Sequence, residues 1–456
     1  MSMYGSDLAV LGGKVFALGY VVESDVLIRN GRIVQTGKGL SAEDCPKIDA
    51  SGMLVLPGVI DSHVHMREPG FPEKEDFASG TAAAAAGGVT TVLEMPNSFP
   101  PVDSVRRLMD KRKLIEPRAA VDFGMFAVLH DGDAKDIVPL VEMGVVGFKA
   151  FLGPTTGAIP PPSDATILES MVALRERGVP IAFHAEDAAL VEYFSESLKK
   201  EGRSDPMAHI EARPPVCEAV SIERVARLAG MSGGKAHIVH MSTAEGVALV
   251  AEHKKLGTRI TCETCPQYLS MTTGDMKKFG PLVKINPPLR SGRDRAALWQ
   301  GVSSGVVDTL GSDHAPHLAK EKRNKDIWEV PGGFIGVETL VPIMLDFVNR
   351  GKLTIKRFVE MTSRNPSILY NLYPRKGELL TRADGDLTIV DMKERHVIRE
   401  AELHSKQSIT PFDGREVKGR VKYTVVRGQV VYDGESVHPS GSWVRPLLDA
   451  EGQVSI

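Results

Sequence analysis

Short apolar runs alternate with longer segments of helical spacing through the middle of this chain of 456 residues. Each run of β-branched and apolar residues ends in a polar residue or a turn, which is typical of buried strands. The eight predicted strands span residues 59–65, 89–97, 121–130, 145–153, 180–187, 235–242, 258–269 and 306–316. Strands that alternate with helices predict a parallel sheet, and eight such units predict an α/β fold with a TIM-like (β/α)₈ barrel.

The segments between the strands carry helix signals. Residues 77–88, "FASGTAAAAAGG", combine helix-favouring alanines with a terminal pair of glycines, and residues 166–178 end on Arg and Gly. No GxGxxG pattern follows the first strand, so an open doubly wound sheet is disfavoured.

Both ends of the chain show a different pattern. Residues 8–57 and about 384–435 consist of short alternating strands with Asn-Gly and Arg-Gly turns. The pattern predicts a small β-sandwich domain built from residues 1–57 and 375–456, with the barrel occupying residues 58–374.

Charge and cysteine content narrow the class of partner. The chain has 55 basic and 58 acidic residues, a net charge of −3, and neither sign forms blocks. We therefore expect a small-molecule partner and neither nucleic acid nor a membrane. No apolar run is long enough to span a bilayer. Four scattered cysteines indicate a reducing compartment, and so a cytoplasmic protein.

Residues with metal-binding or catalytic chemistry stand at the ends of the predicted strands, where barrel enzymes carry their active sites. They are His63 and His65 on strand one, Asn97 on strand two, Lys149 on strand four, His184 on strand five, His240 on strand six and Asp313 on strand eight.

His63 and His65 are two residues apart on one strand, so their side chains point to the same face and can hold one ion. An isolated pair of this kind is one core and one surface histidine about as often as it is a pair of metal ligands. Four histidines and an aspartate at matching strand ends favour a metal site, with zinc preferred and manganese, iron, cobalt or nickel as alternatives.

Lys149 lies in an apolar strand, where a buried ammonium beside a dication would be costly. A strand lysine is commonly a snorkelling or ion-paired residue. The alternatives here are a neutral amine or a carbamate formed with CO₂, whose two oxygens would bridge two metals. The position of Lys149 between the histidine-bearing strands favours the carbamate.

Several motifs together resemble the cyclic-amide branch of the amidohydrolase superfamily, over essentially the whole chain. They are "GVIDSHVHMREPG", "KEDFASGTAAAAAGGVTTVLEMPN", "GFKAFLG", "AFHAED", "HIVHMS", "KINPPLR" and "GSDHAPH". This branch contains dihydroorotases, hydantoinases (dihydropyrimidinases) and allantoinases.

The resemblance implies two divalent metals, most simply two Zn²⁺, with Mn²⁺ or Co²⁺ as substitutes. It assigns His63, His65 and Asp313 to the first ion, His184 and His240 to the second, and a carbamate on Lys149 to both. Asp313 would also be the catalytic base that takes the proton of the attacking hydroxide and passes it to the leaving nitrogen.

In the residues that would hold the substrate, the chain resembles dihydroorotases. These enzymes act in pyrimidine biosynthesis and interconvert L-dihydroorotate, a cyclic amide, with N-carbamoyl-L-aspartate. The resemblance assigns the substrate carboxylate to Arg67, Asn97 and His317, and the ring to Asn286 and the backbone of Gly332 and Gly333. The competing interpretation of Arg67 is a salt bridge to Glu68, Glu73 or Glu75.

Other segments are closer to L-hydantoinases and allantoinases. Gln267 stands where dihydroorotases usually have histidine. Residues 410–414, "TPFDG", also resemble L-hydantoinases and allantoinases. A hydantoinase or allantoinase is therefore the alternative. A non-catalytic interaction protein of the superfamily is a further alternative, although such members lack several ligands that this chain retains. Relatives are commonly dimers or tetramers, so we expect a homo-oligomer.

Overall fold

The computed structural model describes residues 6–132, 136–155 and 159–448. The strands are β1 (Leu8–Ala17), β2 (Tyr20–Arg29), β3 (Arg32–Gly37), β4 (Lys47–Asp49), β5 (Leu54–Pro57), β6 (Val59–Val64), β7 (Val89–Glu94), β8 (Asp122–Val128), β9 (Gly147–Phe151), β10 (Ile181–His184), β11 (Ala236–Ile238), β12 (Ile260–Thr264), β13 (Thr309–Leu310), β14 (Leu387–Val397), β15 (Glu416–Val426) and β16 (Gln429–Tyr432).

The α-helices connect the barrel strands and cover them. They are α1 (Phe77–Ala86), α2 (Val105–Ile115), α3 (Ile137–Met143), α4 (Asp164–Leu174), α5 (Ala188–Lys200), α6 (Pro206–Glu211), α7 (Pro215–Ser232), α8 (Ala244–Lys255), α9 (Pro266–Ser270), α10 (Thr273–Phe279), α11 (Gly292–Ser304), α12 (Ala319–Lys322), α13 (Leu340–Asn349), α14 (Ile355–Val359) and α15 (Asn365–Leu369).

Strands β6 to β13 form the predicted parallel barrel, in the order in which they occur along the chain. The last strand is short, and a parallel bridge between Val64 and His314 closes the barrel beyond its end. The backbone N–H of His65 donates to the carbonyl of His314 at 2.8 Å. The closure brings the first and last strand ends of the barrel together.

The predicted seventh strand, residues 258–269, is too long. The strand ends at Thr264, and α9 begins at Pro266 after Cys265 as its N-cap. A proline is favoured at the first helical position because its φ angle suits the helix and its missing N–H would have no partner there. Cys265 and Cys262 are buried and free.

The two chain ends form one mixed sheet of eight strands. Strand β5 pairs antiparallel with β14, with Val55 opposite Ile389, and this pairing joins the N-terminal half of the sheet to the C-terminal half. Side chains such as Val10, Ile28 and Ile389 form its separate apolar core. Beyond the last strand, Val444 donates from its backbone N–H to the carbonyl of Phe123, so the chain returns to the barrel.

The helices in the described part of the chain include none that is both long enough and apolar enough to cross a membrane.

A buried charge cluster joins the barrel to the small domain. The ammonium of Lys376, which is 1% exposed, lies 2.8 Å from Asp122 on β8, 3.0 Å from Asp384 and 2.5 Å from Asp386. Arg427 also donates to Asp122. The three carboxylates could hold a cation, and the ammonium of Lys376 already serves as one.

We expect Lys376→Met to lower the free energy of unfolding by about 3–5 kcal/mol, because it leaves buried carboxylates without their cation. Urea denaturation measures the change. The matched control is Lys38→Met, since Lys38 forms an exposed pair with Glu23 and contributes less than about 1 kcal/mol. Equal losses in the two variants would contradict the structural role of the cluster.

Candidate active site

A cavity with about 390 Å³ of empty volume lies at the carboxyl ends of the barrel strands. It is lined by His63, His65, Arg67, Asn97, Lys149, Phe151, Thr155, His184, His240, Asn286, Asp313, Ala315, Gly332 and Gly333. Every residue predicted for the site lines it except His317, which lies behind Arg67.

His63, His65 and Asp313 converge on one point. The Nε2 atoms of His63 and His65 each lie 3.4 Å from the same carboxylate oxygen, Oδ1 of Asp313. Two donor atoms bound to one tetrahedral zinc at about 2.0–2.1 Å stand roughly 3.4 Å apart. The three side chains therefore have the spacing of ligands to a single ion.

His184 and His240 form a second group. Nδ1 of His184 lies 3.0 Å from Nε2 of His240, close to the same ligand spacing. The rings of His63 and His240 are 5.3 Å apart between centroids, so the two groups are neighbours in one cavity.

Lys149 lies between the two groups on β9 and is 1% exposed. Its Nζ has no hydrogen-bond partner among the described residues, and burial lowers its pKa. A buried amine without a partner is costly unless it is modified or neutral. The orphaned amine and the five convergent ligands fit a centre of two metal ions.

Two side chains hold the rings of His63 and His65 in place. Nδ1 of His63 lies 3.0 Å from Oε1 of Glu263, and Nδ1 of His65 lies 2.7 Å from Oδ1 of Asn97. The remaining oxygen of Glu263 accepts from the hydroxyl of Ser62 at 2.6 Å. Such partners set the tautomer and orientation of a ligating histidine. Asn97, predicted to bind substrate, thus contacts a candidate ligand.

Glu186 does the same for His184, whose Nε2 lies 3.0 Å from Oε2 of the carboxylate. Burial alone would raise the pKa of Glu186, but Arg213 and His184 lower it to about 2. The sequence reasoning missed Glu186 and Glu263. The signal for Glu186 was its position two residues after His184, on the same face, and Glu263 is an acidic residue inside a buried strand.

The backbone is strained at three of the lining residues. Arg67, His240 and Asp313 have φ angles of 60°, 40° and 49°. Residues other than glycine rarely adopt this left-handed region, and such strain is concentrated at functional sites. The strain aims these side chains into the cavity at the points where their strands end.

The guanidinium of Arg67 borders the cavity and is held from behind. Its Nε donates to the carbonyl of Pro316 at 3.1 Å, and its Nη2 lies 3.1 Å from Nε2 of His317. Burial lowers the pKa of Arg67 to about 10, so it stays charged at neutral pH. Burial and Arg67 lower the pKa of His317 to about 3, so this ring is neutral.

The predicted alternative, a salt bridge from Arg67 to a neighbouring glutamate, is not formed within the described residues. Glu68 instead accepts from Arg118 and from the backbone N–H of Phe77. Arg67 has no salt-bridge partner in this part of the chain, so its charge is available to a bound ligand.

Two glycines, Gly332 and Gly333, form another part of the cavity wall. A Cβ atom on Gly332 would lie 2.8 Å from Nδ2 of Asn286, and one on Gly333 would lie 2.6 Å from Cβ of Ala315. Gly333 also has a φ of 131°, which other residues rarely adopt. Only glycine leaves room for Asn286 to line the cavity here.

Comparison with known proteins places this architecture in a family. The sequence profile of the Amidohydrolase family matches residues 54–431. The chain belongs to the amidohydrolase family. This chain is 38% identical to the allantoinase of Rubrobacter xylanophilus over 449 aligned residues. The alignment covers 97% of this chain and 98% of the relative.

Further relatives identify its branch. The dihydroorotase of Methanosarcina mazei is 35% identical to this amidohydrolase and covers 98% of this chain and 99% of the relative. The structure of L-hydantoinase (dihydropyrimidinase) from Arthrobacter aurescens superposes with a TM-score of 0.93 at 32% identity, over 97% of this chain and all of that one. The predicted fold and the predicted cyclic-amidohydrolase branch are therefore confirmed.

We expect Glu263→Gln to weaken metal binding by about 10- to 100-fold, because an amide holds the His63 ring less firmly than a carboxylate. Metal content after equilibration with graded concentrations of a chelator measures the loss. The matched control is Glu223→Gln, which removes a carboxylate 3.0 Å from a histidine away from the cavity, His253. Equal metal retention in both variants would contradict the positioning role.

Proposed function

We propose that this chain is a two-metal hydrolase whose substrate is a cyclic amide carrying a carboxylate, with the dihydroorotase reaction as the specific assignment. In that reaction L-dihydroorotate and water interconvert with N-carbamoyl-L-aspartate. The observation that carries the proposal is the buried charge of Arg67, which lines the cavity without a salt-bridge partner among the described residues. A substrate carboxylate would form the direct ion pair that no described residue forms with Arg67.

The same residues support the proposed metal centre. His63, His65 and Asp313 would hold one ion, His184 and His240 the other, and a carbamate on Lys149 would bridge them. Zinc suits this set of imidazole and carboxylate donors. When bound, two such ions lower the pKa of a water molecule and polarise the amide carbonyl.

The side chains around the cavity have separate tasks in this proposal. Asp313 would accept the proton of the attacking water and return it to the ring nitrogen as the amide bond breaks. Arg67, backed by His317, would hold the carboxylate and so fix the ring in one orientation. Asn286 and the backbone of Gly332 and Gly333 would contact the ring edge.

A hydantoinase or allantoinase is the second candidate. The similarity of the whole chain favours it, since an allantoinase is 38% identical and an L-hydantoinase superposes with a TM-score of 0.93. The environment of Arg67 favours the first candidate, because only a ring with a carboxylate would give this buried guanidinium a direct ion pair.

The cellular setting and assembly are part of the proposal. The four cysteines are free, which supports a reducing, cytoplasmic location. A homodimer or homotetramer stays a prediction from the resemblance.

Assays of the zinc-loaded protein against L-dihydroorotate, hydantoin, 5-substituted hydantoins, dihydrouracil and allantoin test the substrate. We expect Arg67→Gln to lower kcat/KM for dihydroorotate by about 30-fold or more, because a buried charge-assisted contact is lost. Turnover of neutral rings should change by only a few-fold. The control is Arg227→Gln, an exposed arginine outside the cavity. If the protein hydrolyses allantoin or hydantoin but not dihydroorotate, it is an allantoinase or hydantoinase and the dihydroorotase assignment is wrong.

Lys149→Ala tests the carbamate. We expect it to lower kcat by more than about 100-fold and to reduce the metal content, because the bridging oxygens are lost. Added propionate should restore part of both, since a free carboxylate can occupy the space left by the side chain. The control is Lys235→Ala, a half-buried lysine outside the cavity. A Lys149→Ala protein with full metal content and activity would contradict the bridging role.

A further inference from the structure

A second concave surface lies on the outer face of the barrel, between α11 and α13. It is a groove of about 550 Å³, lined by side chains from both helices, from the end of α9, and from the segments that follow α13 and precede β15. This is the size of a site for a small organic ligand. It shares no lining residue with the active-site cavity.

The groove is strongly basic although the chain as a whole has a net charge of −3. Its lining contains Arg295, Arg350, Lys352 and Arg415 and no acidic side chain. Arg350 is paired with Asp346 at 2.8 Å. Within the described residues the other three form no salt bridge. Burial lowers the pKa of Arg415, and the carboxylates of Asp346 and Asp275 only partly oppose this shift.

Aromatic rings lie among these cations. The rings of Trp299 and Phe347 are 4.9 Å apart between centroids. The guanidinium of Arg415 is 5.6 Å from the centre of the Phe347 ring, and Nζ of Lys352 is 5.8 Å from it. The Trp299 indole is partly exposed and is held by a hydrogen bond from Nε1 to the carbonyl of Leu269 at 3.0 Å.

We propose that this groove binds a nucleoside phosphate, with the base against Trp299 and the phosphate among Arg295, Lys352 and Arg415. Arginine and lysine are the usual protein partners of phosphate, and aromatic side chains stack with nucleobases of any identity. Both kinds of group are present within one groove and converge on Phe347. A simple anion such as inorganic phosphate would contact the cations but leave the aromatic rings without a partner.

The groove is linked to the active site through α9. Leu269 and Ser270, at the end of this helix, line the groove. The two residues before them hold the active site: Nε2 of Gln267 donates to the carbonyl of Ser312 at 3.1 Å, and the hydroxyl of Tyr268 donates to the carbonyl of Pro287 at 2.6 Å. These carbonyls are adjacent in sequence to Asp313 and Asn286. A ligand in the groove therefore acts on the helix that supports both cavity residues.

Isothermal titration calorimetry of the metal-loaded full chain with UMP and with AMP tests the binding, independently of which ring the enzyme opens. Uridine and inorganic phosphate are titrated separately. We expect the Kd of a nucleotide to be at least tenfold below that of either fragment. The double variant Arg295→Gln/Lys352→Gln should weaken nucleotide binding at least tenfold, and its basal activity should be unchanged.

The matched control is Arg106→Gln/Lys38→Gln, which removes two exposed cations elsewhere and should bind nucleotides as the wild type does. The proposal is overturned if neither nucleotide binds, if inorganic phosphate binds as tightly as UMP, or if the groove variant binds like the control. Hydrogen exchange tests the link: UMP should slow exchange at residues 266–270 in the wild type but not in the groove variant. Unchanged exchange in the wild type would overturn the link.

Discussion

The site depends on the closure of the barrel between its first and last strands. The hydrogen bond from the backbone of His65 to the carbonyl of His314 joins residues almost 250 positions apart in the chain. It sets His63 and His65 beside Asp313, and their donor atoms reach the 3.4 Å spacing of ligands to one ion. Parallel strands place all carboxyl ends on one face, so the other candidate ligands arrive at the same cavity.

The cavity concentrates unfavourable features that the rest of the fold must offset. Lys149 is buried without a hydrogen-bond partner, Arg67 is buried without a salt bridge among the described residues, and Arg67, His240 and Asp313 have strained backbones. Such features persist only where the surroundings hold them in place. Here the surroundings are the buried barrel strands and polar partners such as Glu263. In the proposed function, the strain and the unpaired charges prepare the site for a metal centre and an anion.

The small domain and the outer helices act on this site at a distance. Lys376 and its three carboxylates join β8 of the barrel to the chain entering β14, so the C-terminal part of the small domain stabilises the barrel wall. Helix α9 connects the basic groove to the carbonyl before Asp313. The family relationship accounts for the barrel, whereas the groove is formed by side chains on outer helices, which a shared fold leaves free to vary.

The sequence by itself determined the barrel, the two-ended β domain and the candidate ligands, because strand and helix periodicity and residues at strand ends are local properties. It misplaced the end of the seventh strand, where Pro266 starts a helix, and it missed Glu186 and Glu263 as ring-orienting partners. It also left open whether Arg67 pairs with a nearby glutamate. Only the tertiary structure decided these points, because burial, side-chain distance and the partners of a charge depend on segments far apart in the chain.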